Sequence, residues 1–414
     1  MNKILGIIIL CLLLSSKAFA ESEKCKSFPK YSNLWYYNKC DEEKSLKSKK
    51  VKTWKNRQIP EEYHNPNLET LRYHFLTYNK RGKSYQFYTE PSSQPTALKF
   101  NIKKEPKITK KIVKKMQSTG LISYLMYEDG EIVIDQLSPP ERFGDLIDND
   151  TMIYSMSLGK SLGGYLMGHA ICKGYINSLS STLADWPIVK GTLLETATVQ
   201  DLINASTGDQ KYIWNNQLDS GRDIGDLTIA SITKKELANT KPGKKRFNYS
   251  QFSPNVALNY ISFKTGHKFN SFINDVLKDH VGLAAKLRFN GSGVESKGVI
   301  QSNFKATRYD TLRIGIAILN DWNSDTCIGN YLKDVYANRV NKGYNQGDGY
   351  SKSYAGFFHT NYPGISDTVM GMDGYGGIAL LINFDDNRIV YTHAVHRDYN
   401  YRSLVLNAID KGTF

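Results

Sequence analysis

The sequence predicts an α/β (α+β) fold: an antiparallel sheet flanked by helices, with a helical subdomain and an N-terminal extension. Three observations lead there. After Ile108, strand-like pairs joined by turn residues occur near both ends of the chain, helix-like segments lie outside each pair, and a long helical stretch separates them. Such a chain can bring its N- and C-terminal strands into one sheet, with the terminal helices on one face and the insertion on the other.

The elements follow in order. Residues 1–20, MNKILGIIILCLLLSSKAFA, carry an early lysine, an apolar run from Ile4 to Leu14 and a small-x-small ending. The run is too short to span a bilayer and has the order of a cleaved secretory signal. The mature chain is expected to begin at Glu21, to be periplasmic or secreted, and to contain no transmembrane segment. Four cysteines then remain, and an oxidising compartment allows two disulfides. The expected pairs are Cys25–Cys40, closing a short loop, and Cys172–Cys327 within the main domain.

Residues 21–107 form a basic, aromatic extension, and residues 21–110 hold about +10 of the formal +14 charge. A solvated arm is one reading. Contact with an anionic envelope surface is the other. An exported chain with no nucleic-acid motif is not expected to bind nucleic acid. Within the extension, YHFLTYNKRGKSYQFYTE (73–90) reads as a hairpin.

From residue 108, ITKKIVKKMQSTG reads as an amphipathic helix stopped by Gly120, and LISYLMYEDGEIVID as two strands turning at Glu128-Asp129-Gly130. Residues 136–151 read as loop. The segment 157–173 reads as a helix in spite of Gly159, Gly163, Gly164 and Gly168. Each glycine costs roughly 1 kcal/mol against alanine, so this helix must pack closely enough to make small residues useful. Helices and loops continue to about residue 290, YDTLRIGIAILNDW is a further helix, GGIALLINF and RIVYTHAV form a hairpin around Asp385-Asp386-Asn387, and YRSLVLNAIDKG closes the chain as a helix.

The candidate chemistry is a serine three residues before a lysine. Ser-x-x-Lys occurs four times, at Ser27, Ser157, Ser231 and Ser302. A nucleophile of this kind needs its serine at a helix start, where backbone N–H groups favour negative charge, and its lysine one turn along the same face. Ser157–Lys160 meets that requirement in apolar surroundings, which favour a neutral, basic amine. Ser231 heads a highly charged stretch, and Ser27 and Ser302 lie in polar, loop-like sequence.

Four segments carry a wider likeness: SMSLGKSLGGYLMGHAICKGYINSLSSTLADW, ATVQDLINASTGD, FNYSQFSPNVALNYISFKTGHKFNSFINDVL and MDGYGGIALLINFDDNRIV. In this order they resemble the serine β-lactamase and penicillin-binding-protein superfamily, in particular its class C β-lactamase, DD-peptidase and esterase-like branch, over roughly residues 108–414. The resemblance implies a β-lactamase/transpeptidase-like fold and an exported serine hydrolase, with a small-molecule or peptide-like ester or amide as its substrate. It implies Ser157 as the acylated nucleophile, Lys160 as its base partner and Tyr249 as a second proton-transfer group. The backbone N–H groups of Ser157 and Tyr375, with Gly374 before the latter, would form the oxyanion hole.

Two positions depart from the family pattern. Gln251 stands where the tyrosine motif usually has asparagine, which keeps an amide on a longer arm. Met372-Asp373-Gly374 stands where β-lactamases and DD-peptidases tend to carry Lys-Thr/Ser-Gly or His-x-Gly. Without that cation, a substrate lacking a carboxylate fits better. The alternatives are a β-lactamase or DD-peptidase proper, and a catalytically silent envelope-binding protein.

No cofactor or metal is expected. His393 and His396 at i and i+3 of a strand would point to opposite faces, and Asp385 and Asp386 fit a turn. Asn204-Ala-Ser matches a glycosylation sequon.

Overall fold

The structure, a computed structural model, describes residues 51–54, 57–60, 84–102, 106–143, 147–209, 237–292, 299–343, 351–394 and 402–412. The expected signal, the Cys25–Cys40 pair and the first arm of the 73–90 hairpin lie outside these residues. Strands β1 (Val51–Trp54) and β2 (Arg57–Pro60) form a two-stranded antiparallel sheet of their own.

The main sheet is assembled from both ends of the chain. Strands β4 (Leu121–Glu128) and β5 (Glu131–Leu137) turn through Asp129 and Gly130, whose φ values of 50° and 91° match the left-handed conformation that a tight hairpin demands. Strands β12 (Val369–Gly374), β13 (Ile378–Asn383) and β14 (Arg388–Ala394) follow one another antiparallel, and β14 then pairs with β4. At that seam Arg388 faces Glu128, its Nε donating to Oε1 at 2.9 Å. Beyond β12 the short strands β11 (Phe358–Thr360), β10 (Ser353–Ala355) and β9 (Val340–Asn341) extend the sheet, giving the order β5-β4-β14-β13-β12-β11-β10-β9.

Strand alternation splits the core in two. Ala379 and Leu381 join Tyr124, Met126 and Val390 on the face covered by the terminal helices α1 (Pro106–Ser118) and α6 (Arg402–Lys411). Ile378, Leu380 and Ile382 face the larger core, built with α2 (Leu158–Cys172), α3 (Phe252–Lys264), α4 (Arg308–Trp322) and α5 (Cys327–Ala337). The expected layering, terminal helices against insertion, is therefore present.

Polar sequence concealed a second sheet. Strands β3 (Ser84–Tyr88), β7 (Arg288–Ser292), β8 (Val299–Ala306) and β6 (Ile153–Tyr154) run in the order β3-β7-β8-β6. The reading of Ser302 as loop-like is thus corrected: it lies fully buried in β8. Residues 84–101, expected in the extension, are knit to this body. Beyond the pairing of β3 with β7, Ser92 N–H donates to the Leu283 carbonyl at 2.8 Å, and Asn101 N–H to that of Ile132 at 3.0 Å.

Close packing explains the glycines of α2. A Cβ on Gly164 would stand 1.9 Å from the Gly356 carbonyl oxygen, and one on Gly168 2.4 Å from the Tyr331 ring. Beside Gly168, the Cys172–Cys327 disulfide ties the end of α2 to the start of α5. Among the described residues no helix is long and apolar enough to cross a membrane.

Candidate active site

The site begins with a turn. Strand β6 ends against β8, where Ser155 N–H donates to the Phe304 carbonyl at 2.8 Å and the Ser155 hydroxyl accepts from Phe304 N–H at 2.9 Å. The chain then reverses through Met156, whose φ of 49° is left-handed, a conformation that costs a non-glycine residue of order 1 kcal/mol and marks a constrained site. Ser157 follows as the N-cap of α2, half-buried and so reachable from outside.

One turn on, Lys160 is 2% exposed, and its Nζ donates to Ser157 Oγ at 2.8 Å and to Gln251 Oε1 at 2.5 Å. Gln251 is the N-cap of α3, which carries it from a distant part of the chain to the same amine. Its amide nitrogen donates to Ser302 Oγ and Asn303 Oδ1, both at 3.0 Å, on β8. The longer arm of glutamine thus spans the gap between the lysine and the second sheet. The Tyr249 ring lies under the same amine, whose Nζ is 4.6 Å from the ring centroid.

Tyr249 is half-buried among Phe247, Tyr354 and His359, with ring centroids 6.1–6.3 Å away. Burial, with the cations Lys342 and Lys160 nearby, holds the His359 imidazole well below its ordinary range. Burial, with Tyr249 and Asp373 nearby, holds the Tyr354 phenol well above its own. Both rings are therefore neutral near pH 7.

The opposite wall is the end of β12. A Cβ on Gly374 would stand 2.8 Å from the Ser155 carbonyl oxygen and 3.3 Å from Met156 Cβ, so this strand touches the turn that presents Ser157 only because residue 374 lacks a side chain. Tyr375 begins the turn to β13, completed by Gly376 and Gly377 with φ of 92° and 88°. Met372 is fully buried in the larger core.

Ser157, Lys160, Tyr249 and Gln251 thus meet in one cluster, with Gly374 against its turn. Of the other Ser-x-x-Lys pairs, Ser27 and Ser231 lie outside the described residues. Ser302 and Lys305 sit three apart on a strand, which turns their side chains to opposite faces. Burial beside Arg288 lowers the Lys305 amine to about 8. Asn204 of the sequon is 2% exposed and spans two segments, donating to the Asn338 carbonyl and accepting from Gly356 N–H.

Sequence reasoning missed several neighbours. Ser302 and Asn303 were hidden in a stretch read as loop. Lys342, from the end of β9, donates to Ser351 Oγ at 2.5 Å and lies 2.7 Å from His359 Nδ1. Nothing in the spacing of these three residues announces them.

No family model and no curated protein matches this sequence. Solved structures do match. A protein described as a 6-aminohexanoate-dimer hydrolase from Bacillus anthracis is similar at a TM-score of 0.60 and 13% identity, covering 82% of this chain and 92% of that one. A penicillin-binding-protein homologue from Caulobacter crescentus gives 0.57 at 14% identity, covering 78% and 100%. EstCE1, a hydrolase with promiscuous acyltransferase activity, gives 0.55 at 10% identity, covering 74% and 97%. The chain has the fold of the serine β-lactamase and penicillin-binding-protein superfamily.

Proposed function

We propose that the protein is an exported serine hydrolase that cleaves an ester or amide bond through a Ser157 acyl-enzyme, with Lys160 and Tyr249 moving protons. One observation carries the reading. The buried Lys160 Nζ bonds at once to the hydroxyl of a helix-capping serine and to the Gln251 amide, over the ring of Tyr249.

In this reading Lys160 takes the Ser157 proton as Oγ attacks the acyl carbon. The backbone N–H groups of Ser157 and Tyr375 stabilise the oxyanion that forms. The proton passes through Lys160 or Tyr249 to the leaving oxygen or nitrogen as its bond to the acyl carbon breaks. Water then attacks the acyl-enzyme, giving up a proton to the same groups, and the acid leaves as Ser157 Oγ regains its own. Gln251 holds the lysine on line. The Cys172–Cys327 disulfide supports an oxidising compartment.

Met372 supplies no cation from the position where carboxylate-binding members of the superfamily tend to have one, which supports an ester or amide without a carboxylate. A second reading, β-lactamase or DD-peptidase chemistry, draws on Lys342, whose ammonium lies against His359 beside Tyr249. A fluorophosphonate probe tests the first reading: it should label Ser157, and p-nitrophenyl esters should be turned over. Folded protein that neither takes up fluorophosphonate or a penicillin-like probe nor hydrolyses such esters would sink it. Nitrocefin hydrolysis or D-alanine release would decide for the second.

A further inference from the structure

We infer that His169, His280 and Asp321 form a binding site for a divalent transition metal of the zinc class, apart from the Ser157 site. The three residues are 111 and 41 positions apart, from the end of α2, the segment Asn274–His280 and the end of α4. Folding nevertheless places one ligand atom of each within 4.8 Å of the others.

The geometry leaves a buried ring nitrogen without a partner among the described residues. His280 Nε2 lies 3.1 Å from both Asp321 oxygens, and the Tyr165 hydroxyl donates to Oδ2. That arrangement would be complete as an ion pair if His169 were not there. Its Nε2 lies 4.0 Å from Asp321 Oδ2, on a side chain 8% exposed, and has no hydrogen-bond partner among the described residues. Leaving such an atom buried and unsatisfied costs about 1–3 kcal/mol. A cation between the three groups would remove that cost by binding Nε2 as a lone pair, with the ring proton on Nδ1.

The donor set selects the kind of metal. Two imidazoles and one carboxylate suit zinc and its neighbours, whereas calcium and magnesium take oxygen ligands. Zinc ligands at about 2.0–2.2 Å from the metal stand closer to one another than the widest spacing here. Closing on a metal needs small shifts of all three side chains, His169 and Asp321 standing 4.0 Å apart, and the 43% exposure of the His280 side chain gives the metal an entry path and a solvent ligand. Lys173, the neighbouring cation, is paired with Asp275 at 3.8 Å.

The metal's role here would be structural. Ser157 and His169 are twelve residues apart on α2, roughly 18 Å at 1.5 Å per residue, too far for the ion to touch a reacting acyl group. Bound there, it would pin three elements together beside the Cys172–Cys327 disulfide.

Titration of the chelator-stripped full chain with zinc chloride, against a chromophoric chelator, tests this. The expected result is one equivalent bound, a raised Tm by mass action, and a cobalt spectrum of tetrahedral type. His280→Ala, at a half-exposed position, should weaken binding at least about tenfold, and His280→Gln serves if the alanine variant fails to fold. Absence of a bound equivalent in the folded parent would overturn the site. So would affinity unchanged in the folded variant.

Discussion

Gly159 and Ser302 are in backbone contact: a Cβ on Gly159 would stand 2.0 Å from the Ser302 carbonyl oxygen, so helix α2 starts flush against strand β8. The same Ser302 accepts from Gln251, which holds Lys160. One residue therefore anchors the lysine through its side chain and the helix capped by Ser157 through its backbone.

Gly159→Ala tests that contact. The clash is with backbone and cannot be relieved by a rotamer, so α2 or β8 must shift, at a cost of about 1–3 kcal/mol or more. Urea denaturation should show the loss, and ester turnover should fall further than stability alone explains, because Ser157 moves with the helix. Unchanged stability would mean that the two backbones are not this close.

Gln251 is a positioning residue in the proposed reaction. Gln251→Leu deprives Lys160 of an acceptor and Ser302 and Asn303 of a donor. A misplaced lysine should lower kcat about 10²-fold with KM little changed, and fluorophosphonate should still reach Ser157, though slowly. Ser157→Ala should lose the label altogether and at least about 10³-fold in rate. A Gln251→Leu effect confined to KM would assign the residue to substrate binding instead.

Buried His393 sets an acid limit on the fold. Burial lowers its imidazole to about 3, whereas the unfolded chain titrates near 6.5. Below pH 6.5 the unfolded state takes up a proton that the folded state refuses, so stability falls with pH until about pH 3. The slope is up to about 1.4 kcal/mol per pH unit for this one group. His393→Asn should be less stable at pH 7 yet lose stability less steeply between pH 6 and 4. Parallel slopes for parent and variant would contradict the assignment.

The Cys172–Cys327 bridge closes a span of 155 residues. Replacing both cysteines by serine should destabilise the protein by about 2–5 kcal/mol, seen as a lower Tm that no longer responds to reductant. A reductant-insensitive parent with the same Tm as the variant would show that the bridge contributes nothing.

Features set by near neighbours are legible in the amino-acid sequence. The Asp129-Gly130 turn and the apolar run from Ile378 to Ile382 are written in adjacent residues, and the glycines of α2 show as a pattern there, although the contacts that use them, to Ser302, Gly356 and Tyr331, come from distant segments. Ser157 and Lys160 belong to this group, since i and i+3 on a helix share a face. Strand β8 does not, because Gln301, Ser302, Asn303 and Lys305 make it look solvated. Their polarity is answered by partners elsewhere: Asn255 accepts from Ser302 N–H, and Gln251 donates to Ser302 and Asn303.

The sequence by itself thus showed strands and terminal helices of the main sheet, the layering about that sheet, and a serine and a lysine one helical turn apart. Tertiary structure alone decided that Gln251 rather than another amide holds Lys160, that Lys342 stands behind His359, and that His169 meets His280 and Asp321. The reason is physical. Periodicity and turn chemistry are settled by near neighbours, whereas a buried polar atom takes its meaning from whichever distant segment folding brings against it.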